Sequence, residues 1–135
     1  MIFIDFETDG LNGPVTEVAV VRDGSIIADG TSIDVLAPFA TGDGTEMFVF
    51  WHYFMPSYLE RHHMQIFTAM RGNFICFTDV ASYLMGALDR RIKIAAITQE
   101  MLGREHAGNA RQDAIDLYQC YMKGKRVLSY EARLQ

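Results

Sequence analysis

Read for apolar and polar positions, the chain opens on IFIDFE, an apolar run with an acid at Asp5 and another at Glu7. That pattern predicts a buried first strand over residues 2–7, broken by Gly10, Gly13 and Pro14. Val15 to Val21 (VTEVAVV) is rich in β-branched residues and predicts a second strand. Asp23-Gly24 is a two-residue hairpin signal leading into a third from Ser25 to Ile27 and onward. Ala37 to Thr45 reads as a loop, and Met47 to Phe50 as a further strand. Pro56 suits the first turn of a helix running to about His63, with Tyr58 and Leu59 facing inward. Phe74 to Phe77 predicts a short strand. Thr78 or Asp79 is placed to cap a helix whose Val80, Tyr83, Leu84 and Leu88 share a face. Ile92 to Leu102 predicts a helix stopped at Gly103. The last helix is expected from about Asp113, with Ala114, Leu117, Tyr118 and Tyr121 at i, i+3, i+4 and i+7. Three antiparallel strands, a further strand and several helices make an α/β domain with helices against one sheet.

Composition supports that picture. The 135 residues, with no repeats, low-complexity tract or linker, suit one domain over residues 1–135. Half are hydrophobic and 21% are charged, a globular balance. No apolar run reaches the roughly 18–20 residues of a membrane span. The N-terminus lacks the basic and apolar regions of a secretory signal. Cys76 and Cys120 are far apart and favour buried thiols in a reducing, cytoplasmic compartment over a disulfide framework.

Charge adds a qualification. The net charge of −5 does not suggest a nucleic-acid binder, yet it is unevenly placed. Up to Glu46 the only basic residue is Arg22, against Asp5, Glu7, Asp9, Glu17, Asp23, Asp29, Asp34, Asp43 and Glu46. Afterwards come Arg90, Arg91, Lys93, Arg104, Arg111, Lys123, Lys125 and Arg126. Such asymmetry points to a polyanionic partner more than the total does; ordinary solvated faces would also account for it.

The candidate chemistry lies in FIDFETDGL. Strand side chains alternate, so Asp5 and Glu7 point to one side and Ile4 and Phe6 to the other. Two carboxylates held so close raise each other's pKa unless something positive lies between them, and a divalent cation suits that place. The plainer alternative is a solvent-facing strand edge. His62-His63 point in different directions on a helix and read as surface, whereas Trp51, Tyr53 and Phe54 read as core.

FIDFETDGL resembles the first motif of the DEDD 3′–5′ exonucleases, in the DEDDh-type group of the ribonuclease H-like fold. VTEVAVVRDG is similar to that family's second strand and hairpin. MLGREHAGNARQDAIDLYQCY resembles its third motif, a His shortly before the Asp-Ala that opens the last helix. The resemblance spans residues 1–122 and is most specific at its ends. It implies a mixed sheet of antiparallel hairpin strands plus a parallel strand, flanked by helices, in a compact version of the fold. It also implies phosphodiester hydrolysis with one or two Mg²⁺ or Mn²⁺ ions, clamped about 4 Å apart where there are two. On that resemblance Asp5 bridges the metals, and Glu7 and Asp113 complete the site of the metal that activates water. His106 is the general base, imidazole being suited to proton transfer near neutrality. Thr8, Gly10 and Leu11 cradle the terminal nucleotide of a single-stranded nucleic-acid 3′ end.

Two departures stand out. The second motif would put an aspartate after an aromatic, ahead of a helix with an aromatic-Leu pair. In FVFWHYFMPSYLER the residue at that place is Met55, which cannot ligate Mg²⁺; Glu60 lies about a turn further on. The family also has four residues between its His and its last Asp, whereas six separate His106 from Asp113 here, with Arg111 at the expected aspartate position. The expectation is a metal-dependent 3′–5′ exonuclease-like protein acting on single-stranded DNA or RNA. The alternative is a catalytically impaired relative that binds nucleic acid or protein without turnover. A subunit completed by a second copy or another protein is the third reading.

Overall fold

The computed structural model describes residues 1–41, 44–84 and 92–134. Its sheet is built from β1 (Ile2–Thr8), β2 (Val15–Arg22), β3 (Ser25–Gly30), β4 (Phe48–Phe50) and β5 (Phe74–Cys76), in the spatial order β3-β2-β1-β4-β5. β1 pairs antiparallel with β2, and β2 with β3; β4 and β5 extend the sheet in parallel from the other side of β1. The mixed sheet expected from the sequence is the observed one.

β1 is central because it is apolar on both sides over most of its length. Ile2, Ile4 and Phe6 are buried on one face, and Phe3 and Asp5 on the other. A strand covered on both faces needs helices on both, and the helices divide accordingly. α1 (Phe54–His62) covers the Phe6 face, its Tyr58 ring 5.6 Å from that of Phe6. α5 (Ala110–Leu134) covers the Phe3 face, with Tyr118 and Tyr121 edge-on to Phe3 at 5.1 and 5.4 Å. Since Asp5 and Glu7 follow Phe3 at the strand period of two, they lie on the α5 side, further along β1. Asp113, one to two turns before Tyr118, is thereby brought toward them. The core periodicity of two elements thus brings Asp113, far along the chain, to the pair of acids on β1.

The remaining helices are α2 (Met64–Ala69), α3 (Phe77–Leu84) and α4 (Ile94–Leu102), with a 3₁₀ turn at Ile33–Leu36. The helix expected to run to about His63 ends at His62, in agreement; His63 leaves helical geometry (φ −141°, ψ 57°), and α2, which was not expected, follows at once. Other expectations are corrected. α3 begins at Phe77, directly after β5, so neither Thr78 nor Asp79 precedes it as a cap; the Thr78 N–H instead donates to the Trp51 carbonyl at 2.8 Å. Leu88, assigned to the apolar face of α3, and Asp43, Arg90 and Arg91 lie outside the described residues. α5 starts three residues before Asp113, with Asn109 Oδ1 accepting from the Gln112 N–H at 2.9 Å. α4 ends as expected at Gly103, whose φ of +68° favours glycine.

Trp51 is fully buried and Phe54 packs against the core, but Tyr53 is 49% exposed, at the outer side of the turn into α1. His62 is exposed and His63 half-buried. Part of the charge asymmetry is consumed internally. Arg111 pairs with Asp29, and Arg22 and the N-terminal ammonium both pair with Glu46. Cys76 and Cys120 are free. No helix among the described residues is long and apolar enough to cross a membrane.

Candidate metal centre

Asp5, Glu7 and Asp113 each offer a carboxylate oxygen, and these atoms all lie within 4.8 Å of one another. β1 supplies the first two. Opposite Asp5 in the antiparallel register stands Ala19, fully buried and small, and opposite Glu7 stands Glu17. The ladder is irregular between Glu7 and Thr8, so pairing shifts immediately after the second acid. Bulges of this kind re-aim side chains at sheet ends. α5 supplies the third acid from its first turns, where the helix dipole favours a negative group.

Asp113 is held from three directions. Its Oδ1 accepts the Gly108 N–H at 3.2 Å, and its own N–H donates to the Asn109 carbonyl at 2.9 Å. Its backbone carbonyl accepts the Trp51 indole Nε1–H at 2.9 Å, within the core. A buried indole needs an acceptor, and this one ties the end of β4 to the opening turn of α5.

The electrostatics are those of a site short of positive charge. Asp5 is 2% exposed and Asp113 1% exposed. Burial holds the Asp5 carboxyl well above the usual carboxylate range, and the charges of Glu7 and Asp113 push it further. Burial also raises Glu7. It pushes Asp113 up to about 6, with the Gly108 hydrogen bond opposing and the charge of Asp116 adding to the rise. Asp5 Oδ2 is buried without any hydrogen-bond partner. An orphaned, buried carboxylate oxygen among three mutually repelling acids fits a hard divalent cation, which takes such oxygens as ligands and removes the repulsion.

His106 lies beside this group. Its Nδ1 is 3.3 Å from Asp113 Oδ1 but not aligned as a hydrogen bond, and its side chain is 26% exposed. Thr8, Gly10 and Leu11 follow Glu7 in the turn that leaves β1. Thr8 Oγ1 donates to the Gly10 carbonyl, Gly10 has φ +73°, and Leu11 is 72% exposed. Gly13 closes the turn, where any Cβ would stand 1.7 Å from the Asp9 carbonyl oxygen. From α1 the Tyr58 hydroxyl donates to the Gly13 carbonyl at 2.7 Å, so the exposed Leu11 sits in a tethered loop.

Met55 is 7% exposed and belongs to the apolar core at the start of α1. Glu60 is exposed, and no described acid from α1 joins the three carboxylates. Sequence reasoning passed over two contributors. Glu17 bears on the site by charge, helping to raise Asp5, Glu7 and Asp113; its signal was the strand period, two places before Ala19 on the face shared with Val21 and opposite Glu7. Trp51 was read as core, and its indole N–H, which must find an acceptor when buried, was the overlooked sign.

No family model matches the chain, and no curated protein matches it. Among solved structures, Exonuclease X in complex with 5′ overhanging duplex DNA is similar, with a TM-score of 0.55 at 18% identity over 93% of this chain and 91% of that one. The chain has the fold of an exonuclease. On this exonuclease fold the carboxylates stand at the end of the central strand, where α5 crosses it.

Proposed function

We propose that the protein is a metal-dependent 3′–5′ exonuclease that removes nucleotides from the 3′ end of single-stranded DNA or RNA. The observation that carries the reading is the buried group of Asp5, Glu7 and Asp113, with an unpartnered oxygen and His106 alongside. The exonuclease fold supports it. Asp5, Glu7 and Asp113 would hold one divalent cation, Mg²⁺ or Mn²⁺. When bound, the ion supplies positive charge against the phosphoryl oxygens and polarises the attacking water.

The chain's own residues do the rest. His106 Nδ1 faces Asp113 Oδ1 at 3.3 Å, so Nε2 would be the nitrogen that takes a proton from the water. Thr8 and Gly10 shape the turn after Glu7, and Leu11 presents an apolar side chain to a base face without reading its identity. If Met55 takes the place that the resemblance gives to a fourth acid, a second cation would be held by fewer carboxylates. Reduced activity, best seen with Mn²⁺, is the physical expectation.

The buried Met55 also favours a second reading, a protein of the same fold that binds nucleic acid or a protein partner without cutting. A time course on a 5′-labelled single-stranded oligonucleotide, with Mg²⁺ and then Mn²⁺, separates the two. A ladder of 3′-shortened products that vanishes in Asp5→Ala is the expected result. An oligonucleotide bound but left intact in both metals would reject turnover and leave the binding reading.

A further inference from the structure

We infer that Arg104 and Asp116 form a latch that fixes the His106 loop against α5, which makes them positioning residues for the reaction proposed above. The catalytic consequence rests on the nuclease reading; the latch itself does not.

Asp116 lies on α5 one turn beyond Asp113, and its side chain is 0% exposed. Burying a carboxylate is costly unless it is paired. Its Oδ1 accepts from Arg104 Nη2 and from Gln112 Nε2, the latter at 2.8 Å. The same Arg104 nitrogen donates its second hydrogen to Gln119 Oε1 at 2.7 Å. One guanidinium nitrogen therefore spans residues 116 and 119 of α5, its N–H directions fixed by the planar group, whereas a lysine ammonium would turn freely about its stem.

Arg104 directly follows Gly103, where α4 ends, and precedes His106 by two residues. At the far end of the loop the Gly108 N–H is bound to Asp113 Oδ1, and Asn109 caps α5. His106, between these anchors, makes no aligned hydrogen bond through its buried Nδ1. Its place is thus set by the backbone on either side. Asp113 and Asn109 fix one side and Arg104 the other. α4 has its own tie to α5, since Lys123 Nζ donates to the Met101 carbonyl at 2.7 Å. Cutting the Arg104–Asp116 pair should therefore free the loop while α4 stays docked.

The pair is poorly arranged for stability alone. Asp116 Oδ2 is buried without a partner, and buried ion pairs often contribute no more than apolar residues of the same volume. What the pair supplies is direction: a charged, forked contact admits one placement of the loop where an apolar contact admits several.

The test is the double variant Arg104→Met/Asp116→Leu in the full chain, which removes both charges together and leaves an apolar pair. Its melting temperature is expected to stay near wild type. Amide ¹⁵N order parameters of residues 104–109 should fall from about 0.85 to below about 0.6, with α4 unchanged. On the labelled oligonucleotide, kcat should fall about tenfold or more with KM held within about twofold, as for a misplaced base. Arg104→Lys, at a half-exposed position, should give an intermediate kcat and intermediate order parameters, and it decides the matter if the double variant does not fold. Unchanged loop order parameters in the double variant, or in Arg104→Lys where only that variant folds, would overturn the latch. A loosened loop with wild-type kcat would overturn its role in positioning. A wild type that cuts nothing would reject the nuclease reading, and the order parameters would still decide the latch.

Discussion

Replacing Asp113 by Asn should make the cation-free protein more stable and abolish its gain from divalent ions. Asp113 titrates near 6 in the fold against an ordinary value of 3.8, mainly because it is buried. A carboxyl whose pKa is raised by folding favours the fold while protonated. Its contribution is complete below about pH 3.8 and is lost as pH climbs through about 6. At pH 7.5 the ionised group therefore costs about 3 kcal/mol, from about two pH units at 1.36 kcal/mol each. Asn has the same shape, keeps an oxygen for the Gly108 N–H and carries no charge. For a chain of this length that amount is roughly 10 °C in melting temperature. Thermal unfolding followed by circular dichroism in EDTA should show Asp113→Asn melting higher at pH 7.5 and alongside wild type at pH 4. Adding Mg²⁺ or Mn²⁺ should raise wild type alone, by about 2.7 kcal/mol at a hundredfold excess over Kd, closing most of the gap. A variant that melts below wild type at pH 7.5 in EDTA, or a difference that does not change with pH, would refute the account of the site as a repulsive group awaiting a cation.

Met55→Asp should raise cleavage in Mn²⁺ while lowering the melting temperature, since it puts a carboxylate where the side chain is 7% exposed; a folded variant no faster than wild type would remove Met55 from the second-motif place. His106→Ala should slow product formation more than tenfold with little change in thermal stability, and a wild-type rate in single-turnover assays would return it to an ordinary loop histidine. Tyr58→Phe should cost about 1 kcal/mol in urea unfolding through loss of the bond to the Gly13 carbonyl; an unchanged midpoint would show that the tether does not stabilise the turn.

Much of the fold was legible because its strongest signals are local. An apolar run placed β1, β-branched residues placed β2, Asp23-Gly24 set the hairpin, and Gly103 stopped α4. α2 escaped notice because MQIFTA is a single short turn and a half with no fully buried residue, so it carries no periodic signature. The start of α3 was missed because its first residue, Phe77, follows β5 without a break, and the backbone of Trp51, far away in sequence, takes the Thr78 N–H that a cap would otherwise satisfy. In the site, the acids on β1 could be paired from strand geometry alone. Their meeting with Asp113 depends on α5 crossing the sheet, which only the resemblance suggested. Glu17, Arg104 and Asp116 act through tertiary contacts between elements, and no spacing in the chain encodes those.

Trp51 is the chain's one tryptophan, and its indole nitrogen is bound to the carbonyl of Asp113. The protein consequently carries its own optical reporter, wired to the backbone of a candidate ligand and screened from solvent. Were Asp113 to take up a cation, any shift of the opening turn of α5 would alter the polarity and hydrogen bonding felt by that ring. A titration with metal can be read from intrinsic emission, without a label and without a substrate, so occupancy of the site is measurable apart from its chemistry.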